Sequence, residues 1–179
     1  MWFIHRLEKV ITLHPSYLGP RMREYIQQKL YNDVEGTCTG RFFIVAVMDG
    51  IDISPGKVLP GYGMSQFEVN YQAIVFKPFK GEVLDAKVLS VDRQGVLCMA
   101  GPLKLFVSQY LIPEAIQYNA DATPPKYADL EEDMVIEKGS WLRVKILGIK
   151  NDVADIRAIG TVKEDYLGPL GEFCAAMAR

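Results

Sequence analysis

The chain has 179 residues, of which 49% are hydrophobic and 23% charged, enough to bury a core in one large or two small domains. Residues 1–80 carry nine Lys/Arg and seven Asp/Glu, a net charge of +2, whereas residues 81–179 carry eleven and fifteen, a net charge of −4. A strong binder of duplex DNA is normally more basic. Any nucleic-acid contact is therefore expected to be a local patch.

The cysteines argue against a zinc knuckle and against a disulfide framework. Cys38, Cys98 and Cys174 are far apart, and no C-x-x-C pair occurs. A reducing compartment is therefore expected. The longest apolar run, at 42–48, is too short to span a bilayer, and the amino terminus has no secretory pattern. We expect no membrane association.

The first elements are a strand, a stiff loop and a helix. Residues 2–13 predict the strand, and the loop HPSYLGP follows between Pro15 and Pro20. Apolar residues recur at three- and four-residue spacing and predict a helix over 20–34: Met22, Tyr25, Ile26, Leu30 and Val34. Gly36 suits the helix exit.

Strands follow the helix. RFFIVAVM and IDIS, joined at Asp49-Gly50, predict a hairpin. The Gly/Pro-rich segment PGKVLPGYG is expected to be an exposed loop tip. QFEVNYQAIVF alternates, so that Phe67, Val69, Tyr71, Ala73 and Val75 share one face. Residues 1–80 are therefore predicted to form a small domain with one helix on an antiparallel sheet.

A second domain is predicted over 81–179, after Pro78-Phe79-Lys80-Gly81. Its five strand-like segments are GEVLDAKVLSV, GVLCMA, LKLFVS, WLRVKILGI and DIRAIGTV. A long connection, NADATPPKYADLEED, follows the third strand and is expected to be an exposed loop. This order is typical of an OB-fold barrel. The fold class is therefore α+β, a helix-on-sheet domain followed by an all-β OB-fold domain.

No catalytic residue, metal site or cofactor site is predicted. His5 and His14 lack a matching ligand pair, and His14 before Pro15 is expected to be a loop hydrogen-bonder. No glycine-rich segment has the strand–turn–helix context of a nucleotide site. Cys38 and Cys98 lie in strand-like sequence and are expected to be small buried hydrophobic residues.

The leading strands of the second domain resemble the RNA-binding OB subtype that is named after a ribosomal protein. The matching residues are Gly81, Val83, Gly95, Gly101 and FVS at 106–108. Such folds bind single strands by combining aromatic stacking with a basic groove. The candidate phosphate contacts are Lys87, Arg93 and Lys104, and the candidate stacking residues are Phe106 and Tyr110.

This chain lacks two stacking platforms that strong RNA binders of the subtype carry. Val96 and Leu97 follow Gly95 where aromatics are usual, with Met99 beyond them, and Ser108 replaces a common histidine. Because one stacked base contributes roughly 1–3 kcal/mol, weak RNA binding of low sequence preference is expected. Two alternatives stay open: Phe106 in the barrel core, and Tyr110 as an ordinary surface or partner-packing residue.

Family motifs recur in order along residues 1–168. They are ITLHPSYLGPRM, VEGTCTGRF, FEVNYQAIVFKPFKGEV and KEDYLG, and together they resemble the larger subunit of the RNA polymerase II stalk. The resemblance implies a non-catalytic nuclear subunit paired with a smaller helical subunit. It also implies that the first domain docks at the clamp base of the polymerase core, including the largest subunit. The second domain would lie near exiting single-stranded RNA.

Two loops match the docking loops of that family, HPSYLGP at 14–20 and GKVLPGYG at 56–63. The residues assigned to core docking by this resemblance are Pro15, Ser16, Tyr17, Leu18, Gly19, Pro20, Val58, Leu59, Pro60, Gly61 and Tyr62. Proline-stiffened loops lose little entropy on docking, which suits this assignment. Ordinary turns are the alternative.

Other functions remain open. One is the equivalent stalk subunit of RNA polymerase III, and another is a free-standing RNA-binding OB protein; an enzyme is a distant third. The two stiff apolar loops favour the stalk subunit, because a free-standing binder does not need them. The tail past Gly168, PLGEFCAAMAR, is longer than the family pattern leads us to expect and carries no assignment.

Overall fold

Two units follow one another along the chain. The computed structural model describes residues 1–119, 125–129 and 134–170. The chain divides into Met1–Lys77 and Pro78–Arg179, three residues before the boundary expected from the sequence.

In the first unit, one long strand organises the whole sheet. The elements are β1 (Trp2–Leu13), α1 (Met22–Val34), β2 (Phe43–Val47), β3 (Asp52–Ile53), β4 (Lys57–Val58) and β5 (Ser65–Phe76). Strand β5 pairs antiparallel with β1 along their full lengths, from Trp2 opposite Phe76 to Leu13 opposite Ser65. On its other side β5 pairs in turn with β2, β3 and β4.

The hairpin predicted across Asp49-Gly50 is wrong. Strands β2 and β3 both pair with β5 and lie one after the other along its edge. Gly50 has a φ of 96°, so the chain bends there, but it does not reverse. The reversal comes later, at Pro60–Gly63, where β4 leads into β5 and Val58 lies opposite Ser65.

The core of this unit lies between α1 and one face of the sheet. The alternating residues of β5 are buried as predicted, at 0–6% exposure: Phe67, Val69, Tyr71, Ala73 and Val75. Ile26, Leu30 and Val34 are the buried helix positions, and Met22 packs against the core partly buried. Tyr25 differs from the prediction, because it is 42% exposed and its ring lies 5.2 Å from that of Tyr17.

The second unit contains a closed five-stranded barrel, as the OB-fold prediction required. Its strands are β6 (Val83–Asp92), β7 (Gly95–Ala100), β8 (Leu103–Ser108), β12 (Trp141–Asn151) and β13 (Ile156–Thr161). The strand order in the sheet is β13–β8–β7–β6–β12, and the pairing of β12 with β13 closes the barrel. The β8–β13 pairing is parallel, and the short strand β14 (Gly168–Leu170) adds to β12.

The connection after β8 is more ordered than predicted. It contributes β9 (Ile116–Asn119), β10 (Lys126–Asp129) and β11 (Val135–Ile136), which form a small antiparallel sheet. Tyr127 is 3% exposed, and its hydroxyl donates to the carbonyl oxygens of Asp92 and Arg93 at 3.0 and 3.2 Å. Burial raises the pKa of Tyr127, with Tyr118 and Asp92 adding to the shift. The expected exposed loop is therefore wrong for this part; its residues 120–124 and 130–133 lie outside the described residues.

The described cysteines are both free thiols. Cys98 is fully buried in β7, as predicted, and burial raises its pKa to about 12. Cys38 is only half-buried. Cys174 and the tail from residue 171 lie outside the described residues.

Candidate nucleic-acid interface and docking loops

The two loops matched to core docking leave the sheet at the same end. Leu13, the last residue of β1 before the first loop, lies opposite Ser65 on β5, and Val58 lies opposite Ser65 on the other side. The loop over 14–20 and the hairpin over 59–64 therefore adjoin one end of β5. The strand register brings together two segments that are about forty residues apart in the chain.

The first loop is held by local hydrogen bonds. Pro15–Tyr17 form a 3-10 turn, in which Tyr17 N donates to the His14 carbonyl and Leu18 N donates to that of Pro15, both at 3.0 Å. His14 Nδ1 accepts from Ser16 N at 3.3 Å and lies 2.8 Å from Ser16 Oγ, the expected loop role. The whole segment from His14 to Pro20 is exposed, with Tyr17 at 49% and Leu18 at 45%.

The second loop is a glycine-shaped hairpin. Leu59 N donates to the Met64 carbonyl at 2.8 Å, and Gly61 and Gly63 have φ of 83° and 63°. Those angles strain any residue with a Cβ, so glycine is required for this turn. Val58 is 72% and Tyr62 82% exposed. Leu59 is half-buried, so it contributes less surface than the sequence indicated.

A cleft of about 440 Å³ lies beside the first loop. Tyr17 lines it from the loop, Tyr25 and Lys29 from α1, and Met64 from the end of the second loop. Lys29 Nζ donates to the carbonyl oxygen of Thr12 at 2.9 Å, which ties the helix to the end of β1. The cleft therefore adjoins both loops and has an aromatic wall.

Across the outer barrel face, one cross-strand row is basic. Lys87 on β6 lies opposite Met99 on β7, Met99 opposite Lys104 on β8, and Lys104 opposite Arg157 on β13. Arg157 in turn lies opposite Lys150 on β12. All five side chains are exposed. Lys87 and Lys104 were predicted from the sequence to contact phosphate. Lys150 and Arg157 were not predicted, and the strand register places them in the same row.

The neighbouring row is apolar. Leu97 lies opposite Phe106, and Phe106 opposite Ile159. Phe106 is 38% and Ile159 50% exposed, so Phe106 faces outward and not into the core. Val96, whose position carries a stacking aromatic in strong binders, is fully buried in the barrel.

Leu97 was named from the sequence only as a position without the usual aromatic, and Ile159 was missed because its place depends on the parallel pairing of β8 with β13. Alternation alone assigns Ile159 to a strand face but does not say which side chain neighbours it across the barrel.

The candidate RNA-binding residues fall into two groups. Arg93, Phe106 and Tyr110 line one shallow cleft of about 520 Å³, together with Gln94, Ser108 and Gln109. Lys87 and Lys104 lie outside that lining, in the basic row. The apolar row, through Phe106, joins the cleft to the basic row.

Two local features hold this cleft in shape. Tyr110 is 78% exposed on a short 3-10 turn, Gln109–Leu111, whose Leu111 carbonyl accepts from Val162 N and from Thr161 Oγ1. At Gly95 φ is 151°, and a Cβ there would collide with the Val107 carbonyl oxygen and meet the Phe106 ring. Glycine is therefore needed at this position for the close approach of β7 and β8.

A carboxylate lies against the basic row. Asp155, just before β13, places Oδ2 3.2 Å from Arg157 Nε and 4.0 Å from Lys104 Nζ. Its Oδ1 accepts from Ile156 N at 3.0 Å. Asp155 was not identified from the sequence. The alternation pattern does not reveal that the side chain of this turn residue lies close to cations on both β8 and β13.

Residues 1–119, 125–129 and 134–170 contain neither a cluster of metal-binding side chains nor a helix that could span a membrane. No group of three or more His, Cys, Asp or Glu in that part of the chain could hold a metal ion. None of its helices is long and apolar enough to cross a membrane.

Comparisons with known proteins agree with both units. Residues 8–63 match the family model "SHS2 domain found in N terminus of Rpb7p/Rpc25p/MJ0397", and residues 77–158 match "S1 RNA binding domain". The chain is 49% identical to "DNA-directed RNA polymerase II subunit rpb7" of Schizosaccharomyces pombe, over 94% of this chain and 99% of that relative. The chain is 47% identical to "DNA-directed RNA polymerase II subunit RPB7" of Saccharomyces cerevisiae, over 95% of this chain and 100% of that relative.

A more distant relative gives the same result. The Dictyostelium discoideum subunit rpb7 of RNA polymerase II is 43% identical, over 96% of this chain and 100% of its own length. The alignments run through both units, so the likeness is not limited to a common barrel. The chain belongs to the Rpb7 family of RNA polymerase II subunits.

Proposed function

We propose that this protein is the larger, non-catalytic subunit of an RNA polymerase II stalk and that it works in the nucleus. The observation that carries the proposal is the 40–49% identity to proteins named as RNA polymerase II subunits, which extends over almost the whole chain. The match to an N-terminal domain model, in addition to the S1 domain, favours the stalk role over a generic RNA-binding role.

The unit Met1–Lys77 docks on the polymerase core through its two loops. Support comes from their common position at one end of β5 and from the exposure of Tyr17, Leu18, Val58 and Tyr62. Exposed aromatic and aliphatic side chains on stiff turns are typical interface anchors, because little conformational freedom is lost on binding. By the family resemblance, the docking surface is at the clamp base and includes the largest polymerase subunit.

The barrel contacts single-stranded nascent RNA weakly. Phosphates would lie along the basic row, and bases would stack on Phe106 and Tyr110 beside Arg93. The adjoining basic and apolar rows support this arrangement, since single-strand binders combine a charged track with stacking surfaces. The binding is weak because Leu97, Met99 and Ile159 occupy outward positions where an aromatic ring would contribute more.

A smaller helical subunit covers part of this chain in a heterodimer. The sheet face opposite α1 exposes a set of apolar side chains on β1 and β5, namely Trp2 at 55%, Ile4 at 62%, Val10 at 50% and Ile74 at 36%. Exposed apolar area of this kind is typical of a surface that a partner protein covers.

Affinity purification of the tagged chain from its own cells, under low-salt conditions, tests the proposal. We expect the large polymerase subunits and one small helical subunit to co-purify in near-equal amounts, and mass spectrometry identifies the polymerase class. Recovery of polymerase III subunits would reassign the chain to that enzyme. Recovery of RNA without any polymerase subunit would favour the free-standing RNA-binding protein, which the outer barrel face alone also permits.

A further inference from the structure

Asp155 is fixed between two cations of the basic row. Its side chain is 29% exposed, with one oxygen accepting from the amide of Ile156 at 3.0 Å. The other oxygen lies 3.2 Å from Arg157 Nε and 4.0 Å from Lys104 Nζ. The carboxylate therefore lies within ion-pair distance of two cations that are neighbours across β8 and β13.

The basic row repels itself without this carboxylate. Lys150, Arg157 and Lys104 are consecutive cross-strand neighbours, and like charges directly opposite one another destabilise a sheet. A carboxylate between two of them relieves the repulsion. An RNA phosphate would relieve it in the same way, because it is also an oxygen anion that accepts charge-assisted hydrogen bonds.

We propose that Asp155 is a built-in competitor for RNA phosphate, holding Lys104 and Arg157 in the unbound protein. The inference rests on the proposed RNA-binding role of the barrel face. A phosphate that reaches these two side chains must displace the carboxylate or share the cations with it, so the net gain from each contact is reduced. Asp155 thus lowers RNA affinity independently of the missing stacking residues, and it makes contact with this part of the row easily reversible.

The substitution Asp155→Asn isolates the charge. Asparagine keeps a side-chain oxygen that can accept from Ile156 N, so the start of β13 is retained. In anisotropy titrations of the full chain with labelled oligouridylate, we expect affinity to rise about fivefold at low salt, the effect of one unit charge at 4 Å in water. We expect the logarithmic salt dependence to steepen by about 0.7 for each phosphate newly contacted.

Asp152→Asn is the matched control. Asp152 lies in the same turn, is exposed and changes the net charge equally, but it makes none of the ion pairs found among the described residues. It should leave affinity almost unchanged. In a Lys104→Ala/Arg157→Ala background, Asp155→Asn should also give no gain. Without RNA, Asp155→Asn should lower the melting temperature at low salt, and added salt should restore it.

Several outcomes would overturn the inference. They are an unchanged or weaker affinity for Asp155→Asn, an equal gain for Asp152→Asn, or a gain that persists in the double-alanine background. The proposed function fails separately if wild-type binding is insensitive to Lys104→Ala/Arg157→Ala, since the barrel face would then not be the RNA site.

Discussion

Val96 and Leu97 are adjacent in the chain and differ completely in environment. Val96 is fully buried inside the barrel, whereas Leu97 lies on the outer face opposite Phe106. The alternation of a strand requires this, since successive side chains point to opposite faces. The distinction decides where an added ring would help RNA binding and where it would damage the fold.

An aromatic residue should strengthen RNA binding at position 97 and not at position 96. Leu97→Phe places a second ring beside Phe106, and a stacked base contributes roughly 1–3 kcal/mol. Val96→Phe overpacks the core and should cost about 1–3 kcal/mol of stability. Oligouridylate titrations and thermal melts of both variants check this. An affinity gain for Val96→Phe with an unchanged melt would contradict the assignment of the two faces.

Lys87 and Lys104 are the two of the three predicted phosphate contacts that lie in the basic row, and RNA titrations test them as well. Lys87→Glu/Lys104→Glu should weaken binding to all RNA sequences alike and reduce the salt dependence, because each lost phosphate contact removes counterion release. Selective loss for one base composition would instead indicate that these side chains read bases.

Cys98 should make the folded state sensitive to alkali. Burial raises the pKa of its thiol from the ordinary 9.0 to about 12. Between those values the unfolded chain releases the proton and the folded chain keeps it. Stability is therefore fully present below pH 9 and is lost as pH rises toward 12, by about 1.4 kcal/mol per pH unit for this group.

Urea unfolding at pH 8 to 11 measures this slope. Cys98→Ala should be less stable at every pH because it leaves a small cavity, but its stability should fall less steeply above pH 9. A slope remains, since burial also raises the pKa of Tyr71 and Tyr127. Cys38→Ala, which leaves the environment of Cys98 intact, serves as the control. Parallel slopes for Cys98→Ala and wild type would refute the prediction.

At the scale of elements, local pattern was sufficient for some strands and insufficient for others. The alternation of β5 and, except at Tyr25, the spacing in α1 identified buried faces correctly, because one side of each element faces a core. Both segments over 41–54 form strands as predicted, but their pairing as a hairpin was wrong, because a turn signal such as Asp49-Gly50 does not reveal which strand the chain pairs with next. That choice depends on β5, which lies later in the chain.

The candidate RNA-binding site, too, could be predicted from the sequence only in part. Lys87, Arg93, Lys104, Phe106 and Tyr110 could be named from residue type and strand position. Their neighbours Arg157, Ile159 and Asp155 could not, because they depend on barrel closure and on the reach of one turn. The burial of Tyr127 was not predicted. Its hydroxyl donates to backbone carbonyl oxygens of a distant turn, and no residue type in the sequence indicates such partners.

The docking loops should act as one element. Tyr17→Asp/Leu18→Asp introduces two charges at exposed positions, so the melting temperature and binding to the small subunit should be unchanged. Retention of the heterodimer on immobilised polymerase core should be lost, because burying these carboxylates in an interface is costly. Val153→Asp/Tyr166→Asp, at residues 93% and 96% exposed in the second unit, is the matched control. Equal retention of the two double variants would contradict the loop assignment.

At the scale of the whole molecule, a composition of 49% hydrophobic residues must be shared between two small units. Small domains bury a lower fraction of their surface, so some apolar area remains outside. Among the described residues β1 is an edge strand that pairs only with β5, and a long open strand edge is an aggregation risk in a free chain.

The chain should therefore be better behaved with its partner. Co-expression with the small stalk subunit is expected to raise the soluble yield and to give a one-to-one complex in light scattering. A variant that places charge on the open sheet face, Ile4→Glu, should lose part of this benefit while remaining folded. A monodisperse monomer that does not bind the small subunit would contradict the prediction.

The position of β5 at the end of the first unit has a consequence for synthesis on the ribosome. Trp2 pairs with Phe76, and the amino-terminal ammonium donates to the Lys77 carbonyl at 2.9 Å. Strands β1 to β4 thus have no partner strand until β5 has emerged. Such long-range pairing is slow, because the loop must close before the contacts are gained. During translation the sheet of this unit therefore cannot form until β5 has emerged, although α1 needs no partner strand and can form earlier.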